Sequence, residues 1–360
     1  MKPLSGLRIL EFDGLGPVTF AGMVLADLGA EVLRLTRGAS AGAPAFSEVG
    51  GAILHRGRPA VEADLKDTAD LERVRGLVAS ADALIEGFRP GVMERLGLGP
   101  EPCAALNPRL VYGRITGWGQ TGPMARQVGH DLNYIALSGA LSMMGEPDRP
   151  PPPPLNVVGD YGGGAMLLAV GVLAGLLEAK TTGRGRVVDA AMTDGSALLT
   201  SLFHALAAKG LWSDARGANL LDGGAPFYRC YACRDGRFVA VGALEPRFYA
   251  ALLEGLGIPA AEAPQHDGGR WPALHARFAA EFAARDRDDW AARFADSDAC
   301  VTPVLTLPEA TAHPHNAARG TFVEQGVIQP APAPRFGGEP PAVTPQPPAL
   351  SLDEAIAGWR

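Results

Sequence analysis

Two short segments of this chain combine ionisable side chains with glycine, and their residue types suit proton transfer. His130 and Asp131 stand side by side within residues 126–139, and Asp160 lies two residues before the glycine run 162–164. An imidazole has a reference pKa of about 6.5, which suits proton abstraction at neutral pH. A histidine and a carboxyl group on opposite sides of one carbon would act as two proton-transfer groups.

The glycine run suggests how a developing negative charge would be stabilised. We expect Asp160 to be the N-cap of an apolar helix whose first turn, 162–164, exposes backbone N–H groups to an oxyanion. A helix N-terminus favours an ionised carboxylate, whereas burial or a neighbouring anion favours the protonated form. A purely structural interpretation makes His130 an ordinary histidine and Asp131 a helix cap.

Composition restricts the classes of function. The chain has 360 residues, of which 47% are apolar, so it can bury one large or two smaller cores. Its net charge of −7 argues against nucleic acid as the main partner. The first residues show no signal peptide, and the apolar run near 162–177 is too short and glycine-rich for a membrane span. We therefore expect a cytoplasmic protein.

The four cysteines predict neither a disulfide framework nor a metal site. Cys230 and Cys233 form a C-x-x-C pair, but no second ligand pair accompanies them. We expect both residues in a β-hairpin whose turn is Asp235-Gly236.

Alternating strand and helix patterns in the first half predict a parallel sheet with helices on both faces. The predicted strands cover residues 6–12, 31–37, 81–88, 109–119 and 183–192. The predicted helices cover residues 18–30, 67–79, 161–179, 195–210, 246–256 and 271–297. A glycine- and alanine-rich loop is predicted for 38–52.

The turn after the first strand is a poor dinucleotide fingerprint. Gly14 and Gly16 give G-x-G, but Thr19 holds the position of the third glycine. Arg34 and Arg37 stand where a carboxylate would bind a ribose hydroxyl. Arginine suits a phosphate, so NADP or coenzyme A fits this unit better than NAD; an ordinary tight turn with surface arginines fits as well.

The chain resembles the α-methylacyl-CoA racemases of the family III CoA-transferase superfamily. The resemblance rests on PLSGLRILEFDGLGP, ADLK, LIEGFRPGVMERLGLGP, TGWGQTGP, GHDLNYIALSG, NVVGDYGGGAM and RGANLLDGGAPFY. The superfamily's transferases have a catalytic aspartate where this chain has Asp160, and the racemases add a histidine where it has His130.

The resemblance implies an α/β fold with a Rossmann-like large domain and a smaller α+β domain. The large domain would comprise residues 1–190 and 325–360. Between these two parts of the chain, residues 191–225 would form a linker and residues 226–324 a small domain. Two chains would interlock as a homodimer, with active sites between the large domain of one chain and the small domain of the other.

The resemblance also implies the reaction. A 2-methyl-branched acyl-CoA would lose its α-proton to His130 on one face and regain a proton from Asp160 on the other. Glu245 of a partner chain would orient His130, and Asp131 would support the same site. No cofactor or metal is expected beyond the CoA of the substrate. The residues expected to bind CoA are Arg37, Ala63, Asp64, Leu65, Lys66, Gly87, Phe88, Arg89, Arg95, Gly129, Leu132, Asn133 and Tyr134.

Three alternatives stand beside this interpretation. A CoA-transferase would use Asp160 as a nucleophile, forming an acyl anhydride and then an enzyme–CoA thioester; His130 argues against it. An NADP-dependent oxidoreductase is suggested only by the arginines after the second strand. A non-catalytic CoA-binding scaffold would not need His130, Asp160 and Glu245 together.

Overall fold

The computed structural model describes residues 2–12, 14, 16–37, 50–339 and 342–359. Most of the predicted glycine- and alanine-rich loop, 38–49, lies outside these residues. The chain divides into two compact units. The first contains 1–139, 154–200 and 314–360, and the second contains 140–153 and 201–313.

The strands form one parallel sheet and two small antiparallel sheets. In chain order they are β1 (Arg8–Phe12), β2 (Glu31–Thr36), β3 (Ala60–Glu62), β4 (Ala83–Glu86), β5 (Val111–Thr116), β6 (Val187–Ala191), β7 (Tyr228–Ala232), β8 (Phe238–Gly242), β9 (Val301–Pro303), β10 (Phe322–Gln325) and β11 (Val327–Pro330).

The helices alternate with the strands through the first unit and cluster in the second. In chain order they are α1 (Pro17–Asp27), α2 (Gly51–Leu54), α3 (Thr68–Ser80), α4 (Val92–Arg95), α5 (Pro100–Leu106), α6 (Asp131–Leu137), α7 (Met166–Thr182), α8 (Met192–Leu199), α9 (Ser201–Ala208), α10 (Pro246–Leu256), α11 (Trp271–Phe282), α12 (Arg287–Phe294), α13 (Leu307–Ala312), α14 (Pro314–Arg319) and α15 (Leu352–Gly358).

The first unit is built on a six-stranded parallel sheet with strand order β3-β2-β1-β4-β5-β6. This order confirms the predicted α/β fold with a Rossmann-like parallel sheet. The order reverses between β1 and β4, so a crevice is expected there at the carboxyl ends of the strands. β3 was not predicted as a strand, because three residues are too few to show an alternating pattern.

Both faces of this sheet are buried, as parallel sheets require. Successive residues of β1 point to opposite faces: Ile9 packs in the core beneath α1 and α7, and Leu10 packs in the core beneath α3 and α15. The apolar residues of the short central strands therefore face both cores.

The helix predicted over 161–179 begins earlier and has an irregular start. A π-helical segment, Val157–Ala165, leads directly into α7. Length and apolar composition would let the combined helix Val157–Thr182 cross a membrane, but half of its most apolar stretch is buried. It packs against the sheet through Leu168, Val172 and Leu176, as predicted for a core helix.

The second unit holds an antiparallel sheet of order β7-β8-β9 with its own core. The predicted hairpin is confirmed: Tyr228 pairs with Gly242, and Gly236 takes a positive φ of 75° in the turn. The single helix predicted over 271–297 is wrong, because α11 ends at Phe282 and α12 begins after Asp286. The helix predicted over 195–210 is likewise two helices, α8 and α9, and both lie within the span predicted as a linker.

Candidate active site

Asp160 lies inside the π-helical segment, so its prediction as an N-cap is wrong. The residue that precedes the helix is Asn156, whose Nδ2 donates to Asp160 Oδ2 over 3.4 Å. The Asp160 carboxyl group faces the turn after β1, because a Cβ added at Gly16 would lie 3.5 Å from Asp160 Oδ2. The sequence places Asn156 four residues before Asp160, but that spacing does not by itself signal a functional pair.

The glycine run 162–164 does not form the predicted oxyanion site. In a helix that begins at Val157, only the first-turn N–H groups lack a helical partner, and these glycines come later. Gly163 and Gly164 are buried against α8 instead. A Cβ at Gly163 would lie 2.7 Å from the backbone N of Ser196. These glycines therefore permit close packing of two helices.

Asp131 caps the π-helical segment from a different element. It is the first residue of α6 and only 5% exposed. Its Oδ2 atom accepts hydrogen bonds from the backbone N–H groups of Gly159 and Asp160, each over 2.7 Å. Asp131 therefore satisfies first-turn donors that would otherwise lack a partner.

The Asp160 carboxyl group is half-buried, and this decides its protonation. Burial, and after it the adjacent Asp131 carboxylate, raise the pKa of Asp160 to about 6. The hydrogen bond from Asn156 and the charge of His130 lower this pKa, but their effects are smaller. Asp160 therefore exchanges a proton near neutral pH.

His130 stands immediately before α6 and is exposed to solvent. Its backbone N–H donates to Asn133 Oδ1 over 3.1 Å, and the Asn133 N–H donates to the His130 carbonyl over 2.8 Å. These two bonds fix the backbone that carries the imidazole. Since the His130 charge acts on the Asp160 carboxyl group, His130, Asp131 and Asp160 belong to one cluster.

Tyr134 supports the loop that ends at His130. Its hydroxyl donates to the Gly129 carbonyl, and its ring packs edge-on against Trp118 with centroids 4.8 Å apart. Burial raises the pKa of Tyr134 to about 12, so the hydroxyl remains protonated. A Cβ at Gly117 would overlap this ring, which explains the glycine there. Sequence reasoning did not single out Trp118.

Most of the other residues expected to bind CoA follow the carboxyl ends of three strands of the parallel sheet. Arg37 follows β2, residues 63–66 follow β3, and residues 87–89 follow β4. Arg37 lies over the Phe88 ring, with its guanidinium carbon 5.8 Å from the ring centre. Parallel strands end at the same edge, so these segments line one side of the sheet.

The residues expected to bind CoA differ in the exposure of their side chains and in the hydrogen bonds they already make. Lys66, Arg89 and Arg95 are exposed cations, and Leu132 and Asn133 are also exposed. Ala63 is buried, and its N–H already donates to the Thr36 carbonyl over 3.0 Å. Asp64 Oδ1 accepts the Lys66 N–H over 3.0 Å within the same turn, beside the half-buried Leu65.

A buried ion-pair network fixes the loop after β4. Glu86 accepts the Phe88 N–H over 2.7 Å through Oε2 and the Arg114 Nε over 2.7 Å through Oε1. Arg114 also donates to Glu94 over 2.7 Å. Burial raises the pKa of Glu86, while Arg114 opposes that change. This network was not predicted; it ties the ends of β4 and β5 to α4, which carries Arg95.

Glu245 lies in the second unit, as the exposed residue that precedes α10. Its role beside His130 of another chain stays a prediction. Among the described residues, no group of three or more His, Cys, Asp or Glu side chains could hold a metal ion. Cys230 is exposed in β7 and Cys233 is buried just after it, as expected for a hairpin.

Comparison with known proteins places this geometry in context. The sequence pattern of CoA-transferase family III matches residues 4–354. The α-methylacyl-CoA racemase of Mus musculus is 46% identical over 332 residues, covering 92% of this chain and 85% of the relative. The Homo sapiens racemase is 43% identical, covering 92% and 86%. A CaiB/BaiF family protein from Brucella suis has a similar structure, with a TM-score of 0.82, 25% identity and full coverage of both chains.

Proposed function

Because this chain belongs to CoA-transferase family III, we propose that it is an isomerase that epimerises C2 of 2-methyl-branched acyl-CoA thioesters, interconverting the (2R) and (2S) forms. The observation that carries the proposal is the cluster of His130 and Asp160 at one site, in a chain closely similar to racemases. A transferase needs the aspartate alone, whereas a racemase needs a second proton-transfer group.

The proposed reaction is a 1,1-proton transfer through an enolate. His130 removes the proton from C2, and the electron pair of the C–H bond moves to the thioester oxygen. Asp160 then donates its proton to the opposite face of C2, the carbonyl reforms, and the C–S bond remains intact. In the reverse direction, the Asp160 carboxylate removes the proton and the His130 imidazolium returns one.

The protonation of Asp160 supports its double role. Since burial and Asp131 raise the pKa of Asp160 to about 6, both its acid and base forms are accessible at neutral pH. A positioned general base typically contributes about 10²- to 10⁴-fold in rate. Each step moves a proton between protein and substrate, so we propose that the reaction needs no metal or cofactor beyond the CoA of the substrate.

The CoA moiety would lie along the carboxyl edge of the parallel sheet. Exposed cations follow its strands: Arg37 after β2, Lys66 after β3 and Arg89 after β4. Guanidinium and ammonium groups bind phosphates through charge-assisted hydrogen bonds. The backbone near Gly129, Leu132, Asn133 and Tyr134 would hold the thioester end beside His130.

We also propose that the working enzyme is a homodimer whose Glu245 completes the site of the partner. α7 continues directly from the π-helical segment that contains Asp160. It exposes the apolar side chains of Met166 (43%), Val170 (56%) and Leu177 (67%). Exposed apolar side chains at helical spacing favour coverage by another protein surface. Glu245 would then orient His130 through a hydrogen bond.

Proton NMR in D₂O tests the proposal. Purified enzyme is mixed with (2R)- or (2S)-2-methylacyl-CoA, without an acceptor acid. We expect both epimers to lose the α-proton signal and to interconvert. We expect His130→Ala to lose the exchange of the epimer whose proton His130 removes while still binding CoA, and the exposed His315→Ala control to retain it. No exchange, followed by CoA transfer after a free carboxylic acid is added, would identify a transferase and overturn the proposal.

A further inference from the structure

Asp131 holds a buried carboxylate that neither proposed proton transfer uses. Its Oδ2 atom accepts two backbone N–H groups, whereas its Oδ1 atom is buried and has no hydrogen-bonding partner among the described residues. A buried carboxylate with one unpartnered oxygen is costly, so its retention needs an explanation.

The position of Asp131 on the π-helical segment is narrowly defined. Both N–H donors belong to neighbouring residues, Gly159 and Asp160, so one oxygen holds the turn that carries the Asp160 side chain. A Cβ at Gly159 would lie 2.8 Å from Asp131 Oδ2 and 3.0 Å from its Cγ. Only glycine at 159 allows the carboxylate to approach this closely.

The charges around Asp160 are unevenly distributed. The charges of Asp131 and His130 affect the Asp160 carboxyl group electrostatically, and the hydroxyl of Tyr134 in α6 is close enough to feel the Asp160 charge. The elements packed against the π-helical segment carry the further ionisable groups Asp27, Tyr112, Arg114, Glu178, Lys180, Asp189 and Asp194. Of these, Asp27 pairs with Arg56, Arg114 with Glu86 and Glu94, and Glu178 with Arg186, so their charges are offset locally.

We propose that Asp131 is a positioning residue for Asp160: it fixes the backbone turn that carries Asp160, and its negative charge favours the protonated form of the neighbouring carboxyl group. With an Asp160 pKa of about 6, a fraction of the enzyme at neutral pH then holds a protonated Asp160 carboxyl group. In that form Asp160 begins as the acid, and the neutral imidazole of His130 begins as the base. This inference rests on the proposed function, since it assigns Asp160 a proton-transfer role.

The variant Asp131→Asn tests the charge separately from the cap. The amide oxygen of asparagine can still accept both N–H groups, while the charge is removed. In a two-base epimerase, kcat/KM is bell-shaped in pH. For the epimer whose proton the Asp160 carboxylate removes, the acid limb reports the ionisation of that carboxyl group. We expect this limb to move to lower pH by about one unit in Asp131→Asn. The matched control, Asp194→Asn on α8, should leave it in place.

If Asp131 acted only through its hydrogen bonds to the Gly159 and Asp160 N–H groups, Asp131→Asn would lower kcat/KM by a similar factor at every pH or leave it unchanged. The acid limb would then stay in place, and that result would overturn the proposal. A structural contribution is visible separately: Asp131→Ala should reduce kcat/KM further than Asp131→Asn, because alanine leaves the two N–H groups unpartnered.

A second measurement does not depend on turnover. Carboxyl ¹³C NMR of protein labelled at the aspartate side chains gives the titration of Asp160 in the wild type and in Asp131→Asn. We expect Asp160 to titrate at lower pH in the variant than in the wild type. An unchanged titration of Asp160 would overturn the inference even if the enzyme epimerises its substrate. The expected shift in a chain without exchange activity would instead leave the inference standing and contradict the proposed function.

Discussion

The backbone of Gly195 in α8 packs directly on the carbonyl group of Gly163 in the π-helical segment. A Cβ atom at Gly195 would overlap that carbonyl oxygen, and one at Gly163 would lie 2.7 Å from the Ser196 backbone N. The two helices therefore approach through their glycines, and this contact holds the segment that presents Asp160.

Gly195→Ala should disturb this contact. The added methyl meets backbone rather than a flexible side chain, so the helices must separate, at a cost of about 1–3 kcal/mol in unfolding free energy. We expect a lower melting temperature and a lower kcat/KM, because Asp160 moves with the segment. Thermal unfolding and epimerisation assays check both effects.

Gly76→Ala is the matched control for this prediction. Gly76 lies in α3, and an added Cβ would meet nothing within 4 Å beyond its chain neighbours and its own helix backbone. Alanine should therefore be neutral or stabilising by up to about 1 kcal/mol. A Gly195→Ala variant as stable and active as the Gly76→Ala variant would show that the helix contact is unimportant.

Arg37→Ala should weaken CoA binding. Arg37 stacks on Phe88 at the carboxyl edge of the sheet, where its guanidinium can reach a phosphate. We expect the Kd for CoA to rise about tenfold, which corresponds to about 1.4 kcal/mol. Calorimetric titration with CoA measures this change.

The control for Arg37 is Arg184→Ala. Arg184 is an exposed arginine between α7 and β6, at the amino end of its strand. Equal weakening by both variants would point to general electrostatic attraction rather than to a site at the carboxyl edge.

His55 should make stability depend on pH. Burial lowers the pKa of His55 to about 4, and Arg34 and Arg58 contribute to the decrease. The unfolded chain then binds more protons than the folded chain between about pH 6.5 and pH 4, so stability falls as pH decreases through this window. From pH 7 to pH 5 the loss should be about 2 kcal/mol.

Urea unfolding of the wild type and of His55→Gln at both pH values isolates this effect. Between pH 7 and pH 5, the difference in unfolding free energy between the two proteins should change by about 2 kcal/mol, since glutamine does not titrate. With His315→Gln, an exposed control, the corresponding difference should stay constant. A pH-independent difference for His55→Gln would contradict the prediction.

Co-expression of two inactive variants tests the contribution of Glu245 across chains. If His130 and Glu245 of one site come from different chains, a dimer of one His130→Ala chain and one Glu245→Ala chain contains one intact site. Random pairing should then restore roughly a quarter of wild-type activity. Each variant expressed alone should stay inactive. Co-expressed protein that remains as inactive as the single variants would show that each site uses residues of one chain.

The sequence by itself determined the features that depend on local pattern. The buried strands of the parallel sheet follow from continuous apolar runs, and the β7–β8 hairpin follows from Asp235-Gly236 between two strand patterns. His130 and Asp160 could be named as a pair because their motifs resemble those of known racemases. β3 was missed, because three residues leave no periodic signal.

Only the tertiary structure decided how the site works. Glycines 162–164 could equally expose N–H groups or admit a neighbouring helix, and only the position of α8 shows that they pack. The protonation of Asp160 depended on two opposing effects, the helix N-terminus and burial, whose balance cannot be read from residue types. Asp131 lies 29 positions from Asp160 in the chain, and only folding brings its carboxylate to within 2.7 Å of the Asp160 backbone N.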